Sequence, residues 1–465
     1  MSHLAKRVND RVLHLTKCVN DRVLHLKKEN MFKNLLRFLP LLAIAAVLSV
    51  SCSKDDALND ITSISFVDPP AQLIAGDKRL LETAVGPENI DASYTLAYSS
   101  SDRRVATVSS LGTVAAVAAG QTVITVTVKE QPQISASFTL TVSPVRKAPR
   151  NTRFRKVVYY PSYRDLANIP DRNLKMADVA CFAFASINQD YTLTVEKPDK
   201  LRALAARCKR LGVKIVISFA GHGHHEIFVK MTAQPKHRDT FIRSLREIVE
   251  TYDLDGVDND WEFPRTTDGS DAGNTALMRE LSAWLHDPAV DKLLTMSIAS
   301  GEYRGAIASA IQDECFDYVD WFNIMCYDNY LGWADKTPAP DPLKMLTIAY
   351  DYWVGTRRVP KWKFVGGIST YGRPSDEQNN GKAFSFATIL AQGGDPDGYV
   401  ATVSTSSYTG PVYYNGRPFV RQKTRYCIDQ GVGGIMFWEA GHDSQDERSL
   451  IRAACDEADG YADLP

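Results

Sequence analysis

Between residues 156 and 440 the chain repeats one pattern eight times: a short β-rich apolar run, then a connecting segment that in several cases has helical spacing. The runs are KVVYY (156–160), DVACFAFASI (178–187), KIVISFAG (214–221), LDGVDNDWEF (254–263), LLTMSIAS (293–300), DWFNIMCYD (320–328), KFVGGIST (363–370) and GGIMFWEA (433–440). Runs this apolar are expected of strands covered on both faces. Between the second and third, Leu201, Leu204, Ala205, Cys208 and Leu211 recur at helical spacing, and Gly212 supplies a stop; residues 238–252 repeat the pattern. Alternating strands and helices imply a parallel sheet, and eight strands over 285 residues fit a closed (β/α)8 TIM barrel. The open doubly wound alternative loses ground because no glycine-rich phosphate loop follows the first strand.

A different texture precedes the barrel. The runs ISFV, RVATVS, GTVAAV, VITVTV and SFTLTV alternate polar and apolar residues, with turn residues such as Gly76, Pro87, Gly112 and Gly120 between them. Short strands at such spacing predict a small all-β sandwich over residues 60–144. The segment SSSDRRVATVSSLGTVAAVAAGQTVITVTV (99–128) resembles bacterial Ig-like domains, with Tyr98 where that family often has tryptophan. The resemblance implies a spacer or an adhesive module rather than chemistry, with a passive stalk the favoured reading. SPVRKAPRNTR (143–153) reads as a linker, and the barrel domain as 154–458.

The remaining N-terminal stretch reads as a leader. Lys33 and Arg37 precede the apolar run Phe38 to Val50, the pattern of a secretory signal and too short to span a bilayer comfortably. Ser51-Cys52 and then Ser53-Lys54-Asp55-Asp56 resemble a lipoprotein signal of Gram-negative bacteria, of the Bacteroidetes surface-export kind, with Cys52 as the lipid attachment site. Ser49 stands where such signals usually carry a hydrophobic residue. An exported lipoprotein of the outer membrane, exposed at the cell surface, is the expected location. Residues 1–30 contain KRVNDRVLHLTK and KCVNDRVLHLKK at a period of 11, and read as upstream sequence translated by mistake, with the start at Met31. Removing residues 1–51 takes away nine Lys/Arg and three Asp/Glu, leaving 45 basic against 52 acidic residues, near −7. That acidity argues against nucleic acid as a partner. The six cysteines after Cys52 show no CxxC spacing, which leaves zinc unsupported and favours buried thiols.

Within the fourth run, Asp255-Gly256-Val257-Asp258-Asn259-Asp260-Trp261-Glu262 carries the chemistry. Residues two apart on a strand share a face, so Asp258, Asp260 and Glu262 project together. Carboxylates this close cannot all ionise, and the repulsion keeps one protonated as a proton donor. A hard-cation site is the competing chemistry. Val257 and Asn259 should point toward the helices, where Asn259 needs a hydrogen-bond partner.

At this strand the chain resembles glycoside hydrolase family 18, the chitinase-like enzymes. DGVDNDWE matches the family's DGxDxDxE signature. VVYYPSY (157–163), CFAFASI (181–187), ISFAG (217–221, with Ala220 in place of a glycine), NIMCYD (323–328), STYGR (369–373) and GGIMFWEA match its other strands in order. The resemblance implies a retaining hydrolase of β-linked N-acetylglucosamine glycans that needs no cofactor. Glu262 would be the acid, Asp260 would orient the substrate's acetamido group, Asp258 would share protons with Asp260, and Tyr327 would bond the acetamido oxygen. Asp328, Trp438, Tyr159, Met325 and Asp255 would serve substrate binding, with Arg373 supporting the site through salt bridges. Chitin-type oligosaccharides, N-glycan cores and peptidoglycan are the substrate alternatives, and a non-catalytic carbohydrate-binding protein is the alternative of another class. The histidines of Gly221-His222-Gly223-His224-His225 fit cleft-lining or loop contacts better than a metal site. Tyr330 and Trp333 are candidates for stacking on outer sugars. Between Arg373 and Gly433 there is no room for a full α+β insertion, and VYYNGRPFV suggests a hairpin with an Asn-Gly turn, so an open cleft is expected.

Overall fold

The computed structural model describes residues 61–87, 94–301, 305–329 and 341–462. The leader, Cys52, Tyr330 and Trp333 lie outside these residues.

Eight parallel strands close into a barrel. They are β1 (Arg155–Pro161), β2 (Val179–Ile187), β3 (Lys214–His222), β4 (Gly256–Glu262), β5 (Leu293–Ala299), β6 (Trp321–Met325), β7 (Phe364–Ser369) and β8 (Gly434–Trp438). Each pairs with its neighbours in sequence, and β1 pairs with both β2 and β8, which closes the ring. All eight lie where the apolar runs place them. Alternation along each strand feeds two cores. In β1, Val157 and Tyr159 join an interior cluster with Val179, Cys181, Val216, Trp321, Val365 and Met436. Val158 and Tyr160 face outward into the larger layer between strands and helices. Both faces are therefore buried, which is why the strands read as unbroken apolar runs.

The connecting helices follow the same logic. Pro198–Leu211 buries Leu201, Leu204, Ala205 and Cys208, and ends at Gly212, whose φ of 72° gives a left-handed cap bonding back to Cys208 and Lys209 carbonyls. Pro235–Thr251 buries Phe241, Leu245, Ile248 and Val249. Among the described residues no helix is long and apolar enough to cross a membrane. Cys181, Cys208, Cys315, Cys326, Cys427 and Cys455 are buried free thiols.

Between β7 and β8 the chain forms two small antiparallel ribbons, Tyr371–Gly372 with Phe384–Ser385 and Val400–Thr405 with Tyr408–Tyr413, besides the helices Phe386–Ala391 and Arg417–Asp429. The hairpin turn is not at Asn415-Gly416, as the Asn-Gly pair suggested. Gly416 instead caps the helix Arg417–Asp429, with Pro418 in its first turn. Asn415 is consumed by a buried network: its amide donates to Asp341 Oδ2 at 2.9 Å and to the Ser369 carbonyl at 3.0 Å, while Lys423 Nζ donates to its oxygen.

Upstream, Gln72–Ile74, Gln131–Ser143, Gly120–Val128 and Leu96–Ser100 form a four-stranded sheet, in that order. Lys78–Leu80, Thr113–Ala116 and Ala106–Val108 form a three-stranded one, and Ser63–Val67 pairs with Glu82–Gly86. Leu73, Leu81, Val114, Ile124, Leu140 and Val142 make their shared core. This is the Ig-like sandwich.

Candidate active site

The site is built from β4 outward. Asp258 and Asp260 are buried, and Glu262, last on the strand, is half-buried. Asp258 accepts four hydrogen bonds, each from a different strand: the Tyr159 hydroxyl at 2.8 Å (β1), the Ser218 hydroxyl at 2.8 Å (β3), the Thr295 hydroxyl at 2.6 Å (β5) and the Asn323 amide at 3.2 Å (β6). Tyr159 also meets Ser297 at 2.6 Å, and Asn323 is fixed by the Trp321 indole N–H at 3.0 Å. Asp260 is in another condition: its buried Oδ1 has no hydrogen-bond partner. On the opposite face Asn259 finds the partner it needs, donating to Asn274 Oδ1 at 3.0 Å and accepting from the Trp261 N–H.

Above these carboxylates lies a cavity of about 390 Å³. Tyr159, His222, Asp260, Glu262, Met325, Tyr327, Asp328, Arg373 and Trp438 line it, so nine of the residues singled out from sequence converge there, with Asp258 joined to them through Tyr159. A cavity of this size suits a small ligand or one sugar of a chain. The Trp438 ring stands 5.5 Å from Tyr159 and 6.0 Å from Phe184, giving an apolar floor. Asp328 takes a left-handed φ of 71° and accepts from the Tyr371 hydroxyl at 2.6 Å and Arg373 Nε at 2.7 Å. Arg373 thus acts through Asp328. Asp255 does not reach the site. It precedes β4 at the opposite end of the barrel, where its carboxylate accepts from the Ile215 N–H at 2.8 Å, because a strand separates the first residue of the motif from the last.

Burial raises the carboxyl pKa of both aspartates. In Asp260 the nearby charges of Glu262 and Asp258 add to it, holding the group well above the usual range. In Asp258 the four donors oppose the rise. Burial likewise keeps Tyr159 and Tyr327 protonated, their pKa values raised well above that of a free phenol. Asp260 is therefore the member of the strand that holds a proton more tightly than a free carboxyl does, beside an Asp258 supplied with donors for a negative charge.

Sequence reading missed part of this shell. Thr295 and Ser297 alternate on an otherwise apolar strand, a period-two polar signal that points into the barrel. Asn323 stood inside a quoted motif without a role. Arg164, Glu439 and His442 carried no signal. Arg164 Nε donates to buried Glu439 at 2.8 Å across 275 residues of sequence, and its other arm meets His442. His442 lines the cavity, and burial with Arg164 and Arg373 nearby pushes its pKa down to about 3.

Comparison with known proteins gives a family for each of the two folded parts. A profile for glycosyl hydrolases family 18 matches residues 155–443, and one for bacterial Ig-like domain (group 2) matches residues 60–138. A class V chitinase of Lotus japonicus is 26% identical over 302 residues, covering 55% of this chain and 72% of that protein. Chitinase C of Streptomyces lividans is 29% identical over 284 residues, covering 53% of this chain and 45% of that protein. Among solved structures, a chitinase from the chitin utilization locus of Flavobacterium johnsoniae superposes with a TM-score of 0.56 at 23% identity, over 67% of this chain and 96% of that one. A class V chitinase of Nicotiana tobaccum in complex with NAG4 gives 0.55 at 21% identity, over 66% and 99%.

Proposed function

Because the chain belongs to glycosyl hydrolases family 18, we propose that this glycoside hydrolase cleaves β-linked N-acetylglucosamine glycans of the chitin type, with the substrate's own acetamido group as nucleophile. The observation that carries this reading is the buried, unpartnered Oδ1 of Asp260 beside Glu262 at the cavity floor. A buried polar atom without a partner in the protein suits one on the ligand, and an acetamido N–H is such a donor. The relatives called chitinases, and the Nicotiana structure holding NAG4, support the same substrate class.

In the first step Glu262 donates its proton to the glycosidic oxygen as the C1–O bond breaks. The acetamido carbonyl oxygen closes on C1, giving an oxazolinium ion, while Asp260 polarises the N–H and Tyr327 donates to the acetamido oxygen. Trp438 stacks beneath the ring, and Asp328, held by Tyr371 and Arg373, fixes the group's orientation. Glu262, now a carboxylate, takes a proton from water as that water opens the ring from the face the leaving group vacated. Two inversions at C1 retain the β configuration. Substrate assistance of this kind departs from the two-carboxylate scheme of most glycosidases.

The test is hydrolysis of N-acetylglucosamine oligomers, a high-mannose glycoprotein and peptidoglycan by wild type and Glu262→Gln. Wild type should cleave the oligomers with the β anomer released first, as read by proton NMR, and Glu262→Gln should lose about 10²–10⁴ in rate. Binding of oligomers without cleavage of any of the three substrates would refute the proposal. Cleavage of only the glycoprotein or only peptidoglycan would move the substrate assignment.

A further inference from the structure

β4 does not end as it begins. Over its first four residues it pairs with both neighbours, Gly256 to Asn259 lying opposite Leu293 to Met296 of β5 and opposite Val216 to Phe219 of β3. The pairing with β5 stops at Asn259, while that with β3 runs on to Glu262. Asp260, Trp261 and Glu262 therefore form a tip with a strand on one side, and this tip carries two carboxyl groups of the proposed chemistry. On its one paired side the tip meets Ala220 and Gly221, which take left-handed φ values of 80° and 71° and so leave strand geometry.

A side chain takes over where β5 leaves off. Asn259 Oδ1 accepts from the Trp261 N–H at 3.1 Å, two residues on along its own strand. The Asn259 amide donates to Asn274 Oδ1 at 3.0 Å and meets Met278 Sδ at 3.2 Å, one turn apart on the helix Ser270–Leu285. Asn259 and Asn274 are both fully buried. The helix thus fixes Asn259, and Asn259 holds the backbone between Asp260 and Glu262. Its neighbours on the same face, Val257 and Trp261, belong to the outer apolar core. An amide pair set into such a core costs desolvation that two apolar side chains would not, so packing alone does not account for it.

We propose that Asn259 is a positioning residue for Glu262: by holding the Trp261 N–H it fixes the tip of β4, and with it the placement of the acid against the glycosidic oxygen. This rests on the glycosidase reading above. Asn259 faces the helices and is not among the residues lining the cavity, so it acts through the backbone alone.

The experiment compares two substrates with the same N-acetylglucosamine donor, one leaving as a sugar and one as 4-nitrophenol. A sugar alkoxide leaves only with a proton, whereas 4-nitrophenolate is stable enough to leave without one, so the ratio of kcat, sugar over aryl, reports how well the acid is placed. The variants are Asn259→Ala, Asn259→Ser and the double variant Asn259→Leu with Asn274→Leu. Alanine and serine lose similar volume, but the serine hydroxyl can still accept from the N–H two residues on. The double variant removes both partners of a buried hydrogen bond together and should melt near wild type. The ratio should fall about tenfold in Asn259→Ala and in the double variant with KM unchanged, as for a reacting group displaced by a fraction of an ångström. Asn259→Ser should keep most of it. An unchanged ratio in Asn259→Ala overturns the proposal, whatever happens to the melting temperature. So does an equal fall on both substrates, or a serine variant as impaired as the alanine one. If wild type turns over neither substrate, the glycosidase reading has failed and this inference falls with it.

Discussion

Asp260 keeps a buried carboxyl oxygen unpaired beside two other carboxyl groups, and this arrangement weighs on the folded state. Its pKa in the fold lies well above the unfolded value, so the native state binds the proton more tightly. Stability associated with the protonated form is then complete below the unfolded pKa of about 3.9 and is lost as pH rises through the folded value. Asp260→Asn mimics the protonated side chain. It should melt with wild type near pH 4 and above it at pH 8, while hydrolysis falls. Thermal melts across that range check the sign, and a gain that is larger at low pH would contradict it. At this scale the sequence was most legible on β4, where a period of two and the chemistry of crowded carboxylates single out three residues on one face. It was misleading for Asp255, which belongs to the motif but lies at the wrong end of the strand. It was silent on Arg164, Glu439 and His442, whose meeting depends on ring closure between the first and last strands.

The end of β3 shows what an element can absorb. Ala220 and Gly221 take φ values of 80° and 71° in succession, and Ala220 is not a glycine. A left-handed alanine costs roughly 1–2 kcal/mol, against about 0.5–1 kcal/mol of chain entropy that a glycine would lose on folding. Ala220→Gly should therefore leave stability unchanged or raise it by up to about 1 kcal/mol, where an ordinary Ala→Gly in a buried strand destabilises. Denaturant unfolding decides this, and a loss above about 1 kcal/mol would mean that the alanine methyl packs better than its backbone is strained. All eight barrel strands were readable because two buried faces leave little room for polar residues. The region between β7 and β8 was not. An Asn-Gly pair signals a hairpin only when nothing else claims the asparagine, and here Asp341, Ser369 and Lys423 do, through contacts spanning up to 74 residues.

For the whole molecule the two folded parts carry separate cores, one around Ile124 and Val114 and the others in and around the barrel. Ile124 is fully buried, and truncation to alanine costs about 2–5 kcal/mol in such sites. Ile124→Ala should shift the transition of the small sandwich in calorimetry and leave oligomer hydrolysis at wild-type rate. A parallel loss of activity below both transitions would show that the sandwich contributes to the site. Domain order was legible from texture alone, alternating runs for the sandwich and unbroken ones for the barrel, because the two architectures bury one face of a strand or both. The four donors around Asp258 come from four strands spread over 165 residues of chain. One consequence concerns descent rather than chemistry. A lineage that loses this aspartate strips the Ser218 and Thr295 hydroxyls of their acceptor and takes one partner from Tyr159 and Asn323 in a single generation, whereas the mouth loops can change one residue at a time. Substrate preference is therefore free to wander along the rim while the interior hub stays locked against stepwise revision.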